Sequence, residues 1–75
     1  MNYIEIDFND VEGYKELSED SKVYFKEVYR LHNSAQGIDY KQDWVPVKVT
    51  EDKACLKVVF KNNEWLHYFK NGTWG

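Results

Sequence analysis

The sequence is poor in the features that mark several protein classes. Its 75 residues include one cysteine, Cys55, so no disulfide can form within the chain. Small secreted domains usually depend on such links, and the first ten residues carry charges where a signal peptide has its apolar core. No run approaches the roughly 20 apolar residues of a membrane span. These absences predict a reduced, cytoplasmic protein that starts at Met1 and does not enter a membrane.

Residues that could bind a metal or a phosphate group, or act as a nucleophile, are also scarce. The soft metal ligands are Cys55, His32 and His67, and their spacing matches no zinc motif. The four glycines are scattered, which excludes a glycine-rich phosphate loop. A nucleophile pair of Cys55 and His67 would need a reactive thiolate, and nothing around Cys55 favours one. We therefore expect no catalytic residue, no metal and no cofactor, and a protein that is not an enzyme.

Aromatic and charged residues are what the chain has instead. Trp, Tyr and Phe make up 17% of the sequence and charged residues 31%, so a disordered chain is excluded. A chain this short buries only a modest core, and a few large aromatic side chains can supply it. The sequence predicts one small domain over residues 1–75.

Charge is unevenly distributed around the net value of −3. Residues 1–27 carry eight acids against three lysines, whereas residues 28–75 carry seven bases against five acids. This asymmetry predicts either that the acidic third packs beside a basic sheet or that one of the two regions faces a partner.

Two hydrophobic patterns define the first half of the chain. Residues 3–8 alternate between apolar and polar side chains, which predicts a half-buried strand. Apolar residues within 19–36 share one broad side of a helix, with Asn33 on its polar side. Ser18 is the expected N-cap, and Gly37 the residue that ends the helix.

The second half predicts a meander of three strands near residues 45–49, 54–60 and 65–69. The inward positions of the first strand are expected to be Val45, Val47 and Val49. Pro46 indicates a sheet edge or a bulge, because proline cannot donate to a ladder. Asn71-Gly72 then predicts a type I′ turn that returns Trp74 alongside residues 68–70.

Together these elements predict an α+β fold of order β-α-β-β-β. The three C-terminal strands and the N-terminal strand would form an antiparallel sheet, with the amphipathic helix packed on one face.

The last strand is central to function, because both of its faces are apolar. Alternation divides its side chains into two sets, Trp65, His67 and Phe69 on one face and Leu66 and Tyr68 on the other. One helix can cover only one of these faces. The other would be covered by the C-terminal tail through Trp74, by a second copy in a homodimer, or by an external partner.

The first functional hypothesis is a protein-binding module such as an inhibitor, an adaptor or a regulatory partner. Aromatic side chains dominate the energetics of protein interfaces, and acids near the N-terminus could meet a basic surface. The candidate protein-binding residues are Glu5, Asp7, Asp10, Glu12, Trp65, His67, Phe69 and Trp74.

The second hypothesis is binding of single-stranded nucleic acid to the sheet, with bases stacked on aromatic rings and lysines along the phosphates. The candidate residues are Lys48, Lys57, Lys61, Trp65 and Lys70. The negative net charge disfavours nucleic acid, so a protein partner is the stronger expectation.

Overall fold

The computed structural model of the protein describes residues 2–75, so Met1, the expected start of the chain, lies outside the described residues. Helix α1 spans Glu19–Ser34. Ser18 caps it as predicted, because its Oγ accepts a hydrogen bond from the Ser21 backbone N–H at 3.3 Å. The other end comes earlier than predicted, at a right-handed Ala35, and Gly37 does not take the left-handed conformation of a terminating glycine.

Three strands form one antiparallel sheet: β1 is Pro46–Glu51, β2 is Cys55–Phe60 and β3 is Trp65–Phe69. Their order in the sheet is β1-β2-β3, so consecutive strands are neighbours. The short turns between them allow only this antiparallel pairing. The α+β fold and the predicted meander are confirmed.

Alternation in β2 determines which side chains meet the helix. Leu56, Val58 and Phe60 are fully buried, while Lys57 is exposed on the opposite face. The helix, the N-terminal segment, β1 and β3 supply the rest of the core. Among residues 2–75, the buried hydrophobic residues are Val11, Tyr14, Leu17, Phe25, Val28, Tyr29, Val49, Leu56, Val58, Phe60 and Tyr68.

Strand β1 departs from simple alternation. Pro46 and Val49 are buried, whereas Val47 and Lys48 between them are both exposed. The pairing with β2 shifts between Pro46 and Lys48, which is the signature of a β-bulge. The predicted inward position of Val47 is therefore wrong, and the bulge indicated by Pro46 is confirmed.

The predicted N-terminal strand does not form in the described part of the chain, where residues 2–7 carry no strand assignment. This segment runs along α1 instead of joining the sheet. The Tyr29 hydroxyl donates to the Ile4 carbonyl at 2.6 Å, and the Ile4 N–H donates to the Asn33 side-chain oxygen at 2.8 Å. Helix side chains thus satisfy backbone groups that a neighbouring strand would otherwise have bonded.

Asn33 is buried and connects these segments by hydrogen bonds, although the helical pattern placed it on the polar side of α1. Its side-chain amide also donates to the Lys41 carbonyl at 3.0 Å and, more weakly, to the Trp44 carbonyl at 3.4 Å. The Lys41 ammonium in turn donates to the Asn33 carbonyl at 2.8 Å and to the Asn2 carbonyl. One side chain therefore links the N-terminal segment, the end of α1 and the following loop.

The chain reaches the edge of β1 between two short 3-10 helices, Phe8–Asp10 and Tyr14–Glu16. Glu12 forms a parallel bridge there, with the Val49 N–H donating to its carbonyl at 2.8 Å. Gly13 follows with φ of 88°, and a Cβ on it would lie 2.1 Å from the Val49 carbonyl oxygen. Only glycine fits this close approach.

The C-terminal turn forms where it was predicted but with another geometry. A type I′ turn needs positive φ at both central residues, and here Gly72 has positive φ but Asn71 does not. The Gly72 N–H donates to the Phe69 carbonyl at 3.0 Å, which gives a longer loop with a left-handed glycine. The predicted return is confirmed, because Trp74 forms an antiparallel bridge with Tyr68.

Candidate functional site

Strand β3 has one face against the helix and one face uncovered. Tyr68 is fully buried, and its ring lies 5.8 Å from that of Phe25 on α1. Alternation therefore places Trp65, His67 and Phe69 on the side away from the helix. Trp65 is 51% exposed, and the other two are partly exposed.

These three rings form a continuous row. The centroids of Trp65 and His67 are 5.2 Å apart, and those of His67 and Phe69 are 6.0 Å apart. On the neighbouring strand, Val59 pairs with Trp65 and Lys57 pairs with His67. We call the surface formed by these five residues the open face.

Lys57 is closely associated with the aromatic row. Its Nζ lies 4.8 Å from the centroid of the Trp65 ring, within the range of a cation–π contact. This position is diagonal to Trp65 across the β2–β3 pair, so the strand register sets the contact. The open face therefore combines aromatic area with a held positive charge.

Trp74 does not cover the open face. Its ring lies 5.1 Å from that of His32 on α1, so the returning tail packs on the helix side of the sheet. Of the three alternatives for covering the open face, the tail is therefore wrong. Trp74 is half-buried against the core, on the side of the sheet opposite to the open face, and its predicted role in binding a protein stays a prediction.

A buried polar pair lies beneath the sheet on the helix side. His32 is 1% exposed, and its Nδ1 is hydrogen-bonded to the Tyr68 hydroxyl at 2.8 Å. Burial lowers the pKa of His32 to about 4 and raises the pKa of Tyr68 well above its usual value. Both groups are therefore neutral at pH 7 and hold β3 against α1.

The four acidic candidates are all exposed but lie away from the aromatic row. Glu12 bridges the edge of β1, and its carboxylate lies 3.5 Å from the Lys48 ammonium. Asp7 caps a 3-10 helix by accepting from the Asn9 N–H at 3.0 Å. Strand β2 separates β1 from β3, so the predicted protein-binding residues are divided between opposite edges of the sheet. Asp10 and Glu12 lie by the β1 edge, whereas Glu5 and Asp7 belong to the segment that runs along α1.

The nucleic-acid candidates are also divided. Lys57 and Trp65 are in contact, whereas Lys48 is paired with Glu12. Lys61 follows β2 and Lys70 follows β3, at opposite ends of the β2–β3 pair. These lysines do not form one continuous track with the rings.

The described residues that could form a nucleophile pair or a metal site are not brought together in such an arrangement. Cys55 is a free thiol that pairs across the sheet with Phe69, not with His67. Across residues 2–75, no three His, Cys, Asp or Glu side chains converge on a point that could hold a metal ion. Within the same range, no helix has the length and apolar character needed to span a membrane.

Sequence reasoning did not select Val59 as a site residue. Its outward position in β2 follows from the alternation with buried Val58 and Phe60, but its place beside Trp65 depends on the register of two strands.

Comparison with protein-family models, with curated proteins and with solved structures gives no match.

Proposed function

We propose that this chain is a small, non-enzymatic protein-binding module and that the open face is its binding surface. The observation that carries the proposal is the uncovered row of Trp65, His67 and Phe69, because the tail, one of the three possible covers, packs elsewhere. Exposed aromatic area of this kind is enriched at interfaces.

The rigidity of the surface supports the same function. The row stands on a strand paired along its length with β2, and the buried Tyr68 between its members is hydrogen-bonded to His32. A binding surface held in place loses little conformational entropy when a partner docks. Rings on an ordered strand therefore suit recognition better than rings on a loop.

Cys55 supports both the non-enzymatic role and a cytoplasmic location. Cys55 pairs across the sheet with Phe69 rather than with His67, which favours packing over a Cys–His nucleophile pair. A free cysteine also suits the reducing cytoplasm, where we propose that the module acts.

The test is affinity capture with matched variants. Trp65→Ala removes the most exposed ring of the open face, and Val23→Ala removes an equally exposed apolar side chain from α1, since Val23 is 56% exposed. We expect a stoichiometric, nuclease-resistant protein partner that the wild type and Val23→Ala retain and Trp65→Ala loses. Loss of an aromatic interface anchor typically weakens binding by about 2 kcal/mol or more.

Circular dichroism of both variants provides the control for folding. Retention of the same partner by Trp65→Ala would show that the open face is not the binding surface. Recovery of nucleic acid that disappears on nuclease treatment would favour the alternative function.

A further inference from the structure

We propose that the partner presents an acidic segment to the open face, an inference that rests on the proposed function. A carboxylate of this segment would lie against Lys57, and its apolar side chains against Trp65 and Phe69. The charge of the face and the position of one ammonium group indicate the chemistry of the partner.

The outward-facing side chains of β1–β3 carry a charge opposite to that of the chain as a whole. The protein carries a net charge of −3. The charged side chains that β1–β3 direct away from the helix are nevertheless both lysines, Lys48 and Lys57. The one acid within these strands, Glu51, points to the helix side, where it accepts a hydrogen bond from the Ser21 hydroxyl at 2.7 Å. That bond, with others from Ser18, lowers the pKa of Glu51.

Lys57 requires an anion as soon as the face is covered. Its Nζ lies 4.8 Å from the Trp65 ring, so a partner that buries Trp65 also removes water from the ammonium. Among the described residues, no carboxylate of the chain lies within salt-bridge distance of Lys57. Because an unpaired buried charge is costly, the covering surface must supply the carboxylate itself.

A second copy of the chain does not meet this requirement. Lys57 lies in the middle of the central strand, opposite His67. A two-fold pairing of open faces would bring two lysine-bearing strands together, and the outward-facing residues of β1–β3 include no acid to pair with them. Like charges across an interface oppose association, so an external segment is favoured over a homodimer.

A nucleic-acid strand fits less well than a single carboxylate. Repeated phosphates need a track of free cations, but Lys48 is already paired with Glu12 at 3.5 Å. The exposed acids Asp10 and Glu12 also lie at the β1 edge, where a strand crossing the sheet would pass. Lys57 is therefore suited to one or two anionic groups among apolar ones.

The test uses a display library of random peptides selected on the wild-type protein. Selected peptides are then measured against Lys57→Glu and against Lys53→Glu, a matched reversal at an exposed lysine between β1 and β2. We expect the peptides to combine acidic with aromatic or aliphatic residues. Binding should weaken about tenfold with Lys57→Glu, or about 1.4 kcal/mol, and remain unchanged with Lys53→Glu. Replacing the peptide acid by lysine should restore binding to Lys57→Glu.

The outcomes separate this inference from the proposed function. Peptides that are lost with Trp65→Ala but are neutral or basic, or that ignore Lys57→Glu, would refute the acidic partner and leave the binding module intact. Failure to select any peptide that depends on Trp65 would refute both. Dimerisation of the protein, or binding of a thymidine oligonucleotide, that is abolished by Trp65→Ala would also overturn the inference.

Discussion

At Gly13 the backbone conformation and the close approach of β1 both require glycine. Its φ of 88° lies in the left-handed region, and an added Cβ would lie 2.1 Å from the Val49 carbonyl oxygen. Replacing Gly13 by alanine therefore introduces two separate penalties. One is backbone strain, and the other is a collision with the backbone of β1.

The two penalties have separate physical causes and separate magnitudes. The left-handed conformation costs an alanine about 1–2 kcal/mol. Relief of the collision requires the Glu12 segment to move away from β1, which breaks the bond from the Val49 N–H to the Glu12 carbonyl, 2.8 Å long. The bond from the Glu12 N–H to the Val47 carbonyl, 3.1 Å long, goes with it. At about 1 kcal/mol for each bond, Gly13→Ala should cost about 3–4 kcal/mol in total.

Two other glycines provide matched controls. Gly72 has a φ of 93°, but its added Cβ would meet only Leu31 at 3.9 Å, so Gly72→Ala incurs the strain alone. Gly37 has neither feature, since its added Cβ would make an ordinary contact with Tyr40 at 3.5 Å. The expected order of destabilisation in urea unfolding is Gly13→Ala above Gly72→Ala, with Gly37→Ala neutral or slightly stabilising.

The loss of stability in Gly13→Ala should be easy to measure because the fold is small. A chain of this length has a free energy of unfolding of roughly 4–11 kcal/mol, so Gly13→Ala should remove a large share of it. Equal destabilisation by Gly13→Ala and Gly72→Ala would show that the close approach to Val49 does not exist, and the packing of residues 12–13 against β1 would have to be abandoned.

Two further predictions concern the buried pair of His32 and Tyr68. Tyr68→Phe leaves the His32 Nδ1 without its partner and should cost about 1–3 kcal/mol in urea unfolding, whereas Tyr40→Phe, at a tyrosine 61% exposed, should cost nothing measurable; equal effects would contradict the buried bond. Because burial holds the pKa of His32 near 4 in the folded protein, against 6.5 when exposed, the unfolded state binds its proton first as the pH falls. Stability should therefore be constant above about pH 6.5, decline by at most about 3 kcal/mol between pH 6.5 and 4, and then level off as regards this group. The ring resonances of His32 should titrate near pH 4, and a midpoint near 6.5 would contradict its burial.

Local patterns in the sequence were sufficient for the regular elements. Helix α1 follows from its apolar periodicity and its Ser18 cap, because both act within a few residues along the chain. The alternation in β2 and β3 likewise identifies which side chains share a face, since a pleated strand always has period two. The hydrophobic content and short turns then leave an antiparallel meander with a helix on one side.

The sequence could not decide what happens between distant segments. Residues 2–7 have the alternation of a strand, but Tyr29 and Asn33 offer their backbone hydrogen-bond partners along the helix. Asn33 is buried for the same reason, although its place on the helical wheel is polar. In β1, the bulge at Pro46 reverses the inward position that alternation gives to Val47.

The candidate site shows the same division. The sequence alone determined that Trp65, His67 and Phe69 lie together and that one face of β3 needs a cover, because alternation is a local property. Only the tertiary structure decided that the helix covers Tyr68, that Trp74 packs beside His32, and that Lys57 lies against Trp65. Those outcomes depend on strand register and on competition between two apolar faces for one helix, and a shift of a single residue in register would reverse them.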